Sequence, residues 1–265
     1  MKLTFLGIGK MGAALCQGIV ARGVCTAGDI TVSDPVAAAT AAAAAALPGL
    51  RVAETNLEAA RGADVVLLCV KPAGIVPLIE SLRDLPPMLF ISIAAGVTLG
   101  AMEAATGHHR VVRVMPNTPA LVGKGAAAYA PGAKATEADC SLTEQLLGAV
   151  GIVTRVPEKL LDAVTGLSGS GPAYVYTIIE ALSEGGVLEG LTKEQSILLA
   201  AQTLAGAAEM VLSTGLHPAV LRDQVTSPGG TTIAGLATLE EKGLRSALIE
   251  CVRTATRRAK ELGKS

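Results

Sequence analysis

Leu3-Thr4-Phe5-Leu6-Gly7-Ile8-Gly9-Lys10-Met11-Gly12 opens the chain, and its reading decides the fold. Four mostly apolar residues predict a strand, and a GxGxxG pattern follows at the point where a helix begins. In that setting the glycines have a physical purpose. They allow a tight turn and close approach of the backbone, so that a pyrophosphate can face the amides of a helix N-terminus. A merely tight strand-to-helix turn is the plainer alternative, but both flanks favour the nucleotide site. Gly7, Ile8, Gly9, Lys10, Met11 and Gly12 are therefore candidate contacts to a dinucleotide cofactor.

Working outward, short apolar runs at 30–33, 65–70, 89–93 and 111–115 alternate with helical stretches. Such runs with crossovers between them imply a parallel sheet covered on both faces. Residues 37–46 are nearly all Ala and fall where the crossover after the second run is expected, so they predict a helix. A small edge strand near Tyr129, a helix over 137–149 and a last strand over 152–156 complete this half.

Ligands in open parallel sheets lie beyond the carboxyl ends of the strands. The second run ends at Ser33-Asp34-Pro35, where the terminal side chains choose between a ribose hydroxyl and a 2′-phosphate. Asp34 suits the hydroxyl and therefore NADH, unless it only caps the Ala-rich helix. Val70-Lys71-Pro72 and Ala94-Ala95-Gly96 end two further strands and should border the nicotinamide half.

After Pro157 the pattern is helical only, which divides the chain into 1–157 and 158–265. Thr192-Lys193-Glu194-Gln195 is a capping box, opening a helix that runs to Gly215. Leu248, Val252, Ala255, Ala259 and Leu262 form one apolar stripe on a charged last helix. A helical segment so rich in Ala and Leu is expected to bury its surplus apolar surface against a second copy, giving a homodimer or a higher homo-oligomer. Thr226-Ser227-Pro228-Gly229-Gly230-Thr231-Thr232 precedes another helix, and its amides and hydroxyls suit a substrate carboxylate. Capping by Thr231 alone is the simpler alternative.

Composition narrows the function. Of 265 residues, half are hydrophobic but only 2% are aromatic, and the net charge is −1. No basic stripe interleaved with aromatics points to nucleic acid, so a small ligand is the expectation. Cys16, Cys25, Cys69, Cys140 and Cys251 are scattered and form no CxxC, so neither a disulfide framework nor a metal site is indicated. The first apolar run is cut by Gly7, too early for a signal peptide, and no apolar stretch free of Gly, Pro and charge spans a membrane; the expected location is the cytoplasm. His108, His109 and His217 sit beside Gly or Pro and read as exposed loops. There is no HExxH and no GxSxG, which sets aside metal-dependent and hydrolytic chemistry.

Taken together, the first glycine pattern, Val-Lys-Pro at 70–72, Ala-Ala-Gly at 94–96, Met-Pro-Asn-Thr-Pro at 115–119, Gly-Leu-Ser-Gly-Ser-Gly-Pro-Ala at 166–173 and the run from Leu221 to Thr232 make the chain resemble Δ1-pyrroline-5-carboxylate reductases from end to end. The resemblance implies an α/β fold: an N-terminal Rossmann-type, doubly wound and mostly parallel sheet with a C-terminal all-helical dimerisation domain. It implies reduction of a cyclic imine to L-proline by NADPH or NADH, the last step of proline biosynthesis. By position it adds Asn56 to the cofactor contacts, and it makes Glu158, Thr231 and Thr232 substrate contacts beside Ser227, Gly229 and Gly230. Thr232 would hydrogen-bond the ring nitrogen as the catalytic residue, in a site completed by the partner subunit. The family's usual NADPH preference is at odds with the negative charge of Asp34. A β-hydroxyacid dehydrogenase would share the architecture, but residues 172–190 lack the Lys such enzymes carry there. A nucleotide-binding regulator without turnover would have no use for the Thr226 to Thr232 run.

Overall fold

A computed structural model describes residues 1–263. The chain forms two compact units, one of Met1–Ser170 with the end of the chain from Arg253, the other of Gly171–Val252.

The first unit is built on β1 (Leu3–Leu6), β2 (Ile30–Ser33), β3 (Arg51–Val52), β4 (Val65–Leu68), β5 (Leu89–Ser92), β6 (Arg110–Met115), β7 (Gly125–Pro131) and β8 (Gly151–Arg155). They form one sheet in the order β3-β2-β1-β4-β5-β6-β7-β8. All neighbours are parallel except β6 and β7. Residues of β1, β4 and β5 are buried on both faces, which is why these strands read as continuous apolar runs rather than alternating ones. The order reverses between β1 and β4, and that switch point is where such sheets leave a crevice for a nucleotide.

Helices α1 (Lys10–Ala21), α2 (Ala37–Ala46), α3 (Asn56–Ala60), α4 (Ile75–Ser81), α5 (Leu99–Thr106), α6 (Glu137–Gly148) and the single turn α7 (Leu161–Val164) belong to the same unit. The Ala-rich run is a helix over the expected span. Thr55, Thr98 and Thr136 cap α3, α5 and α6 by accepting amide hydrogens of the first turn.

Two expectations about this unit change. The strand through Tyr129 is β7, which lies inside the sheet between β6 and β8 rather than at its edge. Its Ala-rich sequence carries little strand signal, whereas pairing on both sides holds it. His109 is 1% exposed, not on an exposed loop. The Met88 amide donates to its Nδ1 at 3.3 Å, and its Nε2 lies 3.2 Å from the Leu82 carbonyl.

The second unit consists of α8 (Gly171–Leu188), α9 (Lys193–Thr214), α10 (Pro218–Gln224), α11 (Thr231–Glu241) and the first half of α12 (Leu244–Leu262). The capping box of Thr192 and Gln195 is present, and Gly215 ends α9 at φ 66°. Helices α8 and α9 pack closely. A Cβ on Gly186 would come within 2.7 Å of the Ser196 hydroxyl. Apolar side chains remain bare on this unit: Leu188 is 85% exposed, Leu198 69% and Leu212 65%. By length and composition α9 is apolar enough to cross a bilayer, although it carries Glu209.

Candidate active site

The turn from β1 into α1 has the shape a pyrophosphate needs. Gly7 adopts φ 92°, and a Cβ there would lie 2.7 Å from the Cys69 carbonyl oxygen. A Cβ on Gly12 would lie 2.5 Å from the Gly7 carbonyl oxygen, so both glycines are required for the helix to sit against the strand. Gly9 is different. Nothing lies within 4 Å of the Cβ it lacks, and as the N-cap of α1 it offers no side-chain acceptor to the first amides. The amides of the first turn are thus left to a ligand, beside a glycine that leaves room for one.

Asp34 is committed to the same turn. Its Oδ2 accepts from the Ile8 amide at 2.8 Å and its Oδ1 from the Val36 amide at 2.8 Å. Val36, not Asp34, is the N-cap of α2. The carboxylate therefore ties the end of β2 to the glycine turn, which the capping alternative overlooked. Ser33 is buried beside it, and its carbonyl accepts the Gly7 amide at 2.8 Å. Asn56 stands at the first position of α3, after the capping Thr55. Val70, Lys71 and Pro72 follow β4, and Ala94, Ala95 and Gly96 follow β5. All these residues lie at the carboxyl ends of strands in one unit, as expected, and they suit a dinucleotide.

A cavity of about 620 Å³ adjoins the last of these residues. Pro72, Ala95, Gly96 and Thr98 form one wall, and Asp162 and Thr165 another. Beside it, Glu158 Oε1 accepts from the Leu99 amide at 2.6 Å and from Arg113 Nη1 at 2.9 Å. Glu158 thus caps α5 and pairs a guanidinium whose side chain is 8% exposed, while Arg113 Nη2 lies 3.9 Å from Asp162. Arg113 went unnoticed in the sequence, although a charged residue within the apolar run Val111-Val112-Arg113-Val114 was a signal of a buried partner.

The second glycine-rich turn belongs to the other unit. Gly229 has φ 68°, and Gly230 is the N-cap of α11 with no side-chain cap. Thr231 and Thr232 are the first two helical residues, so neither is the cap that the simpler reading gave to Thr231. The Thr232 hydroxyl has no hydrogen-bond partner among the described residues. Ser227 is exposed, and its carbonyl accepts the Gly230 amide at 3.1 Å. The Gly230 amide is thus taken up within the turn, while the next amides and the Thr231 and Thr232 hydroxyls stand at the start of a helix with no side-chain cap.

Burial pushes Cys69 well above its ordinary range and Cys16 up to about 12, so both stay protonated and unreactive. No group of His, Cys, Asp and Glu suited to a metal occurs among the described residues.

The chain is similar to known proteins over its full length. Residues 158–262 match the family described as pyrroline-5-carboxylate reductase dimerisation, and residues 2–96 match NADP oxidoreductase coenzyme F420-dependent. A pyrroline-5-carboxylate reductase of Methanosarcina acetivorans is 46% identical, covering 99% of this chain and 98% of the relative. A solved pyrroline-5-carboxylate reductase of Coxiella burnetii superposes with a TM-score of 0.94 at 38% identity, covering 100% of this chain and 99% of that one. A Plasmodium falciparum pyrroline carboxylate reductase solved with NADP bound gives 0.87 at 33% identity, covering 99% and 98%. With an open dinucleotide turn at one end and an uncapped Gly-Gly-Thr-Thr helix start at the other, the chain belongs to the pyrroline-5-carboxylate reductase family.

Proposed function

We propose that this protein reduces Δ1-pyrroline-5-carboxylate to L-proline, the last step of proline biosynthesis, as a cytoplasmic homodimer or higher homo-oligomer. The observation that carries the reading is the pairing of two uncapped glycine-rich helix starts, Gly9 at α1 and Gly230 at α11, in a chain related to reductases throughout. NADPH or NADH, when bound, supplies the hydride. Residues 1–157 hold it, through the amides after Gly9, the Ser33–Asp34 corner, Asn56, and the 70–72 and 94–96 turns. Residues 158–265 bind the imine and make the dimer.

The imine carboxylate rests on the amides around Gly229 and Gly230, helped by the Ser227 and Thr231 hydroxyls. Thr232 Oγ1 accepts the N–H of the protonated ring nitrogen and keeps its hydrogen bond as that nitrogen becomes an amine. The substrate arrives protonated, so no acidic side chain has to supply that proton. Positioning is then the main task of the protein. Glu158 acts on the imine side, where its carboxylate already fixes the start of α5. The Gly229–Thr232 turn reaches the cofactor side of a partner subunit, which accounts for the bare apolar helices of the second unit. A net charge of −1 and the lack of a basic stripe leave nucleic acid without a footing, and α9 serves the subunit interface rather than a bilayer.

Steady-state oxidation of NADPH and of NADH in parallel, with proline measured as product, tests the reading. Proline should form with both cofactors. Because Asp34 puts a carboxylate beside the ribose site, kcat/KM for the two should differ little. A folded protein that binds NAD(P)H and yields no proline would overturn the assignment.

A further inference from the structure

Two motifs that the reaction leaves without a task meet in the first unit. The segment Thr165–Gly169 is a π turn, in which the Ser170 amide donates to the Thr165 carbonyl at 2.8 Å. Such turns are uncommon and gather at functional sites. Asn117, from Met-Pro-Asn-Thr-Pro, ties this turn to the sheet. Its Nδ2 donates to the Ser168 carbonyl at 3.0 Å, and its Oδ1 accepts the Ala126 amide of β7 at 2.8 Å. The side chain is 9% exposed and makes both bonds from a buried position. Met115 seals the same contact, since a Cβ on Gly169 would come within 2.5 Å of its terminal methyl.

Thr165, at the head of the π turn, lines the cavity beside Ala95, Gly96 and Thr98. A shift of the turn moves this wall while leaving the Gly7–Gly12 turn untouched. We propose that Asn117 is a positioning residue for imine reduction: its carboxamide bridges the Ala126 amide and the Ser168 carbonyl and so holds the π turn where Thr165 shapes the imine side of the cavity. This rests on the cavity being the imine side of the reaction.

Asn117→Ala removes both bonds, and Asn117→Asp keeps the acceptor toward Ala126 but sets a carboxylate oxygen against the Ser168 carbonyl. If the first variant does not fold, the nearly isosteric second one carries the test. Each should lower kcat/KM for pyrroline-5-carboxylate about 10- to 100-fold, as expected when a reacting partner is displaced by about an ångström, with NADPH affinity by fluorescence titration unchanged. Unchanged kcat/KM or a matching loss of NADPH affinity would each overturn the proposal. Thr165→Trp separates it from the reading on which it rests. If filling the cavity stops imine turnover while the Asn117 variants remain normal, only the positioning role fails. If neither change affects turnover, the cavity is not the imine side and both fail.

Discussion

The chain contains two glycine-rich helix starts that look alike in sequence and differ in how they are held. At the first, Gly7 and Gly12 are forced by their neighbours, with carbonyl oxygens 2.7 and 2.5 Å from where a Cβ would stand, and Asp34 grips the Ile8 amide. Fully buried strands surround it. At the second, nothing lies within 4 Å of the Cβ that Gly229 lacks, and the Thr232 hydroxyl makes no hydrogen bond among the described residues. The first is a finished cradle within one unit. The second has donors and hydroxyls in place on its own unit, which fits the proposal that another subunit completes it.

The largest expected effect breaks the first turn. Gly12→Val would drive a branched side chain into the Gly7 carbonyl and the Cys69 side chain, which lies 3.3 Å from the position of a Cβ. NADPH binding should fall below detection in a fluorescence titration, while the dimer persists in light scattering because the helical unit is untouched. Retained cofactor affinity would show that this turn is not the cradle.

A smaller effect is expected at the second turn. Thr232→Ala should cost about 1 to 3 kcal/mol of transition-state stabilisation, or about 5- to 150-fold in kcat, and leave NADPH affinity alone. Thr232→Ser keeps the hydroxyl and most of the activity. Since Gly230 is the N-cap and Thr232 makes no capping bond, the thermal midpoint should not move. A lowered midpoint with normal kinetics would reduce Thr232 to a structural residue.

The smallest effect concerns neither turn and checks that the first unit titrates as its burial requires. Burial, and then the neighbouring His108, lower the pKa of His109, whose neutral ring accepts the Met88 amide. The unfolded chain takes up a proton near pH 6.5 and the folded protein does so only at lower pH. Stability is therefore full above about pH 6.5 and declines as pH falls below it, by about 1.4 kcal/mol for each unit by which the folded pKa is depressed. Urea midpoints measured from pH 7.5 downward should fall for the wild type, and an NMR titration of His109 should place its pKa below that of a free histidine. A His109 pKa at or above the ordinary value would contradict the burial account.

Much of this was legible in the sequence because the physics is local. The strands β1, β2, β4, β5 and β6, the Ala-rich helix and the Thr192 capping box all follow from periodicity and short-range chemistry. What escaped was non-local. β3 is two exposed residues, Arg51 and Val52, made into a strand only by pairing with β2. The interior place and reversed direction of β7 depend on its partners, not on its own residues. At the site, residue types predicted position better than partners. Asp34 was read against the ribose, whereas the structure shows it holding the Ile8 amide from 26 residues away. Glu158 was assigned to the substrate through family resemblance, and the bonds that fix it come from Leu99 and Arg113.

The central claim is that the imine is reduced where the Gly7–Gly12 cradle of one subunit meets the Thr232 turn of its partner, and mixed dimers test it most directly. Gly12→Val, which loses the cofactor, and Thr232→Ala, which turns over about 5- to 150-fold more slowly, are denatured together and refolded as a mixture. In a mixed dimer one site pairs an intact cradle with an intact Thr232, and the other carries both defects. The account predicts that pyrroline-5-carboxylate-dependent NADPH oxidation reappears in the mixture, well above the sum of the two variants refolded separately. If mixed dimers form and activity stays at that sum, each site lies within one subunit and the account is wrong.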